Sequence, residues 1–308
     1  MPELSLNSVR IDDTFAEAFD MAATAVVVTA DDMAWARQAA IVATGFATSV
    51  IGCGCEAGID RALRPRDTPD GRPGIRVLLF AVSAAELQRQ LVTRVGQCVL
   101  TSPTSACFAG LDAPERLRLG SDLRYFGDGF QTSKKLGERR YWRIPVMDGE
   151  FLCESDTGFV ADAVGGGNLF IMADSRGAAL RAAEAAAAAA AAVPDVILPF
   201  PGGIVRSGSK VGSRYPALVA STNHAYCPTL RGAADTALTP DIACVLELVI
   251  DGLSPAAVAT AMRAALHAAA RRGPEAGVLR LGAGHYGGKL GRHHFHLRDL
   301  LDAQVLQS

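Results

Sequence analysis

The chain has 308 residues, of which 49% are hydrophobic and 20% charged, with 30 Lys and Arg against 32 Asp and Glu and a formal net charge of -2. That is enough chain and apolar surface for one large or two ordinary domains with a substantial core, which excludes fibrous and disordered classes. Near-neutral, scattered charge offers no footprint for a nucleic acid or an anionic membrane, and seven cysteines without paired zinc spacings read as buried reduced thiols.

The opening MPELSLNSVRIDDTF has neither a basic segment nor an apolar run, and no later stretch is a continuous span of large apolar residues. The expectation is a cytoplasmic protein without a membrane segment. Residues 25–29 (AVVVT) read as a strand, and Asp31 and Asp32 cap a helix through Met33, Trp35, Ala39 and Val42 that Gly45 closes. Residues 46–51 read as a second strand, followed by an irregular stretch, CGCEAGIDRALRPRDTPDGRPG. Residues 75–80 form the next strand, Ser83 caps a helix carrying Leu87, Leu91 and Val92, and Gly96 ends it before a strand at 97–101.

The second half repeats that order. Residues 168–172 (NLFIM) are a strand, Asp174 and Ser175 cap a helix running through an alanine tract to Pro194, and residues 196–198 and 203–206 make a return strand. A strand follows at ACVLELVIDGL, then a helix from Ser254 and Pro255 to about Ala270, and residues 278–281 close the unit. The duplication is visible as VLLFAVSAAELQRQL beside LELVIDGLSPAAVATAM. A βαββαβ unit is the ferredoxin-like split βαβ, so the predicted fold class is α+β with two ferredoxin-like lobes, residues 1–147 and 148–308. A sheet face free of its own helices argues for an oligomer, and residues 102–140 and 207–240, without counterparts in the other half, are places for specialised contacts.

One residue breaks the apolar run at 243–253: Glu247, which alternation places on one face with Val245 and Val249. Either that face is wet and the carboxylate solvated, or it is covered and the pKa rises, giving a neutral donor near neutral pH. GAGHYGG from Gly282 has dinucleotide-fingerprint spacing but no following helical pattern, so close packing at a strand end is the better reading. His294 and His296 share a strand face, as two metal ligands require, yet no third ligand sits nearby and ordinary polar strand residues fit as well. Residues 199–215 (PFPGGIVRSGSKVGSRY) combine glycine-exposed donors with Lys210 and suit an anionic group, or are simply a polar loop. In STNHAYCPT, Asn223 and Tyr226 offer hydrogen bonds to a heterocycle. No nucleophile motif is present, which favours positioning and proton transfer over covalent catalysis.

Taken together, DDTFAEAF, ATGFATSVI, EAGID, TPDGRPG, VGQCVLTSPT, YFGDGFQ, IPVMDGEF, PFPGGIV, SKVGS, STNHAYCPT and GGKLG resemble the formylmethanofuran:tetrahydromethanopterin formyltransferase family over nearly the whole chain. The resemblance implies two ferredoxin-like lobes, association as homodimers or homotetramers, and a site in a cleft at a subunit interface. It implies transfer of a formyl group between methanofuran and N5 of tetrahydromethanopterin, both bound as co-substrates, with no metal or prosthetic group. Glu247 falls at the position of the family's catalytic glutamate, and Asp13, Glu150, Lys210 and Asn223 lie in matching segments as cofactor-binding residues of the cleft. The near-neutral composition, rich in Arg and Ala, resembles bacterial methylotroph members, in which the formyl group passes from formyl-tetrahydromethanopterin to methanofuran and the protein sits in a formyltransferase/hydrolase complex. The alternative is a non-catalytic subunit that binds a cofactor for a partner hydrolase.

Overall fold

A strand, a helix, two strands, a helix and a strand follow one another twice along the chain, and this repeat organises the molecule. The structure is a computed structural model describing residues 4–301. Two compact units divide it, residues 21–163 and residues 4–20 with 164–301. Each is mixed α+β. Strands Phe15–Thr29 and Asp156–Ala173 contribute residues to both.

In the unit of residues 21–163, strands Phe15–Thr29, Glu56–Leu63, Gly74–Ala81 and Ala106–Ala109 alternate with helices Met33–Thr44 and Ala84–Arg94. Across the sheet the strands lie fourth, first, third, second, with every pairing antiparallel. Asp32 accepts the Trp35 N–H at 2.9 Å and Ser83 accepts the Glu86 N–H at 3.2 Å, satisfying donors that a first helical turn leaves unpaired. Ala36, Ala39, Ala40, Leu87 and Leu91 then bury against Val26, Val28, Val77 and Leu79 of the sheet. The sheet is extended by Gly149–Glu154, parallel to Ala106–Ala109, and by the antiparallel strands Arg139–Val146 and Thr132–Leu136.

Two expectations fail here. The strand expected at 46–51 is instead a helical turn, Val50–Cys53, capped by Ser49 and ended by Gly54 at φ 77. The strand itself, Glu56–Leu63, occupies the stretch read as irregular. Its residues EAGIDRAL have little strand preference, so it exists through tertiary pairing, reinforced by the buried Asp60–Arg76 contact at 2.6 Å. Likewise Gly96 does not stop the second helix. Residues Val95–Val99 continue it as a π turn with Val95 and Val99 buried, and the strand begins only at Ala106. Gly96 serves close packing, since a Cβ there would lie 3.1 Å from Leu123.

The second unit repeats the order with Asp156–Ala173, Val196–Ile197, Cys244–Gly252 and Val278–Gly282, and with helices Arg176–Ala191 and Pro255–Ala270. Its sheet runs Val278–Gly282, Asp156–Ala173, Cys244–Gly252, Val196–Ile197, again antiparallel throughout. The return strand is shorter than expected: residues 201–203 form a 3-10 turn, and only Val205 rejoins the sheet, through a single bridge to Glu247. Strands Val9–Ile11 and Leu4–Leu6, in an opening segment for which no strand was expected, extend the other edge. Small residues let helices and sheet approach closely. Ala182, Ala183, Ala186 and Ala190 are buried in the core, and a Cβ on Gly167 would fall 2.5 Å from Val258.

Candidate active site

In Cys244–Gly252, Leu248 and Ile250 point into the helix-side core, so Val245, Glu247 and Val249 take the opposite face. That face is not bare. Phe170 and Met172 of the neighbouring strand lie there under Leu238 and Ile242, with Tyr226 and Val245 packed alongside. Glu247 pairs across the sheet with Phe170. On its other side its backbone exchanges two hydrogen bonds with Val205, at 2.7 and 2.9 Å.

The backbone is therefore satisfied while the side chain enters a cavity of about 40 Å³ whose lining includes Phe170, Val205, Gly208, Asn223, Tyr226 and Glu247. Such a volume takes a small group or a few waters, not a whole cofactor. The Tyr226 ring meets Phe170 at a tilt of 57°, with ring centroids 4.6 Å apart. Gly208 leaves room for the acid, because a Cβ there would sit 3.0 Å from Glu247 Oε2. Burial is the sole cause that pushes the Glu247 carboxyl up, from its ordinary 4.5 to about 7. Near neutral pH it is poised between a neutral acid, which donates, and a carboxylate, which accepts. A group in that condition can stabilise a developing oxyanion and then exchange a proton with it.

Of the residues nominated from sequence, Asn223 shares this cavity with Glu247, its backbone N–H bonded to Gly208 O at 2.9 Å. Lys210 lies nearby in sequence, on the short strand Ser209–Val211. It is half-buried, its Nζ 3.4 Å from Gly212 O, and does not line the cavity. Asp13 is also outside the lining. Its carboxylate is gripped by Arg298, whose hydrogen bonds hold it below the usual range. Glu150 belongs to the other unit, where it is exposed and accepts from Arg143 Nε at 2.6 Å.

The glycine-rich run after Val278–Gly282 is followed by a strand, His293–His296, and no helix. Its N–H groups close on Glu17: Tyr286 and Gly288 donate to Oε2 at 2.6 and 2.8 Å, and Leu290 and Gly291 to Oε1 at 2.7 Å each. His294 and His296 do share a face, where both contact the ring of Phe15 at 4.8 and 5.1 Å. Among the described residues no cluster of three or more His, Cys, Asp or Glu is placed to hold a metal. Sequence reasoning missed Phe170, Gly208 and Glu17. For Glu17 the available signal was a charged residue in an alternating segment directly after Phe15 and Ala16.

The fold and site define an α+β protein of two lobes, one of which carries a largely buried, protonatable carboxyl. The family model described as formylmethanofuran-tetrahydromethanopterin formyltransferase matches residues 4–146, and that described as the FTR proximal lobe matches 149–300. The chain belongs to this formyltransferase family and is an enzyme. It is 61% identical over 296 residues to a formylmethanofuran--tetrahydromethanopterin formyltransferase of Methylococcus capsulatus, covering 96% of this chain and 99% of that one. It is 59% identical to one of the subunits of the formyltransferase/hydrolase complex of Methylorubrum extorquens, covering 98% and 99%. A crystal structure of that complex with methylofuran superposes at a TM-score of 0.95 over 98% of this chain and 99% of its counterpart. The formyltransferase of Methanosarcina barkeri, 43% identical, superposes at 0.91 over 96% and 100%. Among the described residues no helix is long and apolar enough to cross a membrane.

Proposed function

We propose that this enzyme transfers a formyl group between N5 of tetrahydromethanopterin and the amine of methanofuran, with Glu247 as the catalytic acid. The names of the relatives supply the co-substrates, and the observation that carries the mechanism is the enclosed Glu247 carboxyl with its pKa raised to about 7. The acceptor amine attacks the formyl carbon, and the carbonyl oxygen takes up negative charge as the carbon becomes tetrahedral. Neutral Glu247 donates to that oxygen, in a cavity where little water competes for the bond. On collapse the oxygen returns its proton to Glu247 and re-forms the C=O, while the proton shed by the attacking amine passes to the departing nitrogen, so both nitrogens are balanced and Glu247 ends as it began. The pterin and furan lie outside the small cavity, which holds only the reacting group. Asn223 is suited to orient it by a hydrogen bond from its side-chain amide, while Asp13, Glu150 and Lys210 are retained as cofactor contacts on the family resemblance.

The direction we favour is from formyl-tetrahydromethanopterin to methanofuran, in a cytoplasmic homodimer or homotetramer that joins other subunits of a formyltransferase/hydrolase complex. Support comes from the Methylorubrum extorquens relative, which is a component of such a complex. We read both lobes as ferredoxin-like, on the strand order fourth, first, third, second found in each sheet. Residues 1–147 and 148–308 remain the proposed lobes, supported by family-model spans that end at 146 and restart at 149, although the compact units break inside the two long strands. The alternative of a non-catalytic subunit called for an open, solvated Glu247, and burial speaks against it. The test is formyl exchange between the purified co-substrates by wild type and Glu247→Gln. A loss of about a hundredfold or more is expected, the scale for removing an oxyanion donor. Equal rates would make Glu247 structural.

A further inference from the structure

Two glutamates in the Glu247 unit are held in opposite states. Glu17 is fully buried. Burial pushes its carboxyl up, but the four N–H donors of the glycine-rich loop outweigh that and hold it at about 2. It is ionised at every working pH, so its hold on the loop is constant. The loop can wrap a carboxylate because Gly287 and Gly288 take φ of 89 and 71, turning successive N–H groups toward one point. An anion-binding nest is thus filled by the protein's own side chain. The arrangement is costly to build into a core and has no part in the chemistry derived above.

What the clamp fixes lies beside Glu247. At the start of the loop, the Gly284 N–H donates to Asn168 Oδ1 at 2.6 Å, while its carbonyl accepts from Asn168 Nδ2 at 3.0 Å and from the Glu17 N–H at 3.2 Å. Gly284 sits on Phe170, for a Cβ there would be 2.8 Å from the ring, and Phe170 is the cross-strand partner of Glu247. The next clamped residue is Tyr286, whose ring lies 5.9 Å from that of Phe19. We propose that Glu17 is a positioning residue for the Glu247 site, holding the Gly284–Gly291 loop against the strand face that carries Phe170 and Glu247. Burial, then the charges of Glu247 and Glu17, raise the Tyr286 phenol, so this clamped residue stays neutral. Arg206, Tyr226 and Cys227 line the cavity with Glu247, and Tyr286 of the loop is the other titratable group that feels its charge.

The inference rests on Glu247 being the catalytic acid, and the experiment separates the two. Formyl transfer by the 308-residue chain is followed across pH for wild type, Glu247→Gln, Glu17→Gln, Gly284→Ala and the Glu17→Gln/Gly284→Ala double variant, each checked for folding by circular dichroism. Gln at 17 turns an amide donor toward N–H groups that need acceptors, which frees the loop. The expected result is a kcat loss of about tenfold or more in Glu17→Gln. With the loop free, water reaches Glu247, so the limb of the rate profile near pH 7 shifts to lower pH, an effect that lowered stability alone does not produce. Gly284→Ala, whose methyl would lie 2.8 Å from the Phe170 ring, displaces the loop from the same face and should lose about fivefold or more, with the double variant no worse than Glu17→Gln, because both act through one loop. If Glu17→Gln does not fold, the Gly284→Ala rate decides alone. A folded Glu17→Gln with the wild-type rate and profile, or a Gly284→Ala with the wild-type rate, overturns the inference. Full activity in Glu247→Gln overturns the reading beneath it instead.

Discussion

Replacing Glu247 with Gln should make the protein more stable at alkaline pH while it disables transfer. Folding raises the Glu247 pKa from 4.5 to about 7, so the folded protein holds this proton more tightly than the unfolded chain. The group's stabilising effect is complete below pH 4.5 and is lost as pH rises through 7. At about 1.4 kcal/mol per pH unit, the interval corresponds to about 3 kcal/mol, an upper figure because part of the residue still reaches solvent. Gln keeps the shape without the charge and escapes this penalty. Urea unfolding at fixed protein concentration, from pH 5 to pH 9, measures the effect. The wild type should lose ground to Glu247→Gln as pH rises from 4.5 and level off above 7, the deficit reaching about 2–3 kcal/mol at pH 8. Equal pH dependence in the two proteins would refute the claim that desolvation at this carboxyl is what tunes it.

Kinetics should show the same group: wild-type kcat/KM is expected to fall above a pH near 7, and the limb should vanish in the residual activity of Glu247→Gln. Gly208→Ala places a methyl 3.0 Å from Glu247 Oε2, so the acid must shift, and transfer should drop by about tenfold with the unfolding midpoint little changed. Asp60→Ala removes the carboxylate that faces the buried Arg76 guanidinium, and urea unfolding should register a loss of about 3–5 kcal/mol. Asp13→Asn, by contrast, weakens an exposed pair with Arg298 and should leave the unfolding midpoint where it is; a large shift would mean that the pair is structural.

Much of this protein is legible along the chain because the information is local. Ser83, Ser175 and Ser254 each precede a helix and cap it with the side-chain oxygen, as the sequence predicts. Alternation in VLELVI fixes which face carries Glu247, since the side-chain period of a strand leaves only two choices. The duplication and the order of elements follow from the same local patterns, and the ordered motifs carried the family resemblance.

Tertiary structure decided the rest. Glu56–Leu63 is a strand because a neighbour pairs with it, not because its own residues prefer to be one, and the segment at 95–99 winds on as helix because Val95 and Val99 find a core to fill. Whether Glu247 is a solvated carboxylate or a tuned acid could not be read from VLELVI. The answer depends on Phe170, Tyr226 and Gly208, which are distant in sequence and meet only in the folded unit. Glu17 is the extreme case, since its four donors come from more than 260 positions away. Periodicity records what a residue does to its own segment. Desolvation and hydrogen bonding are set by whatever the fold brings alongside it.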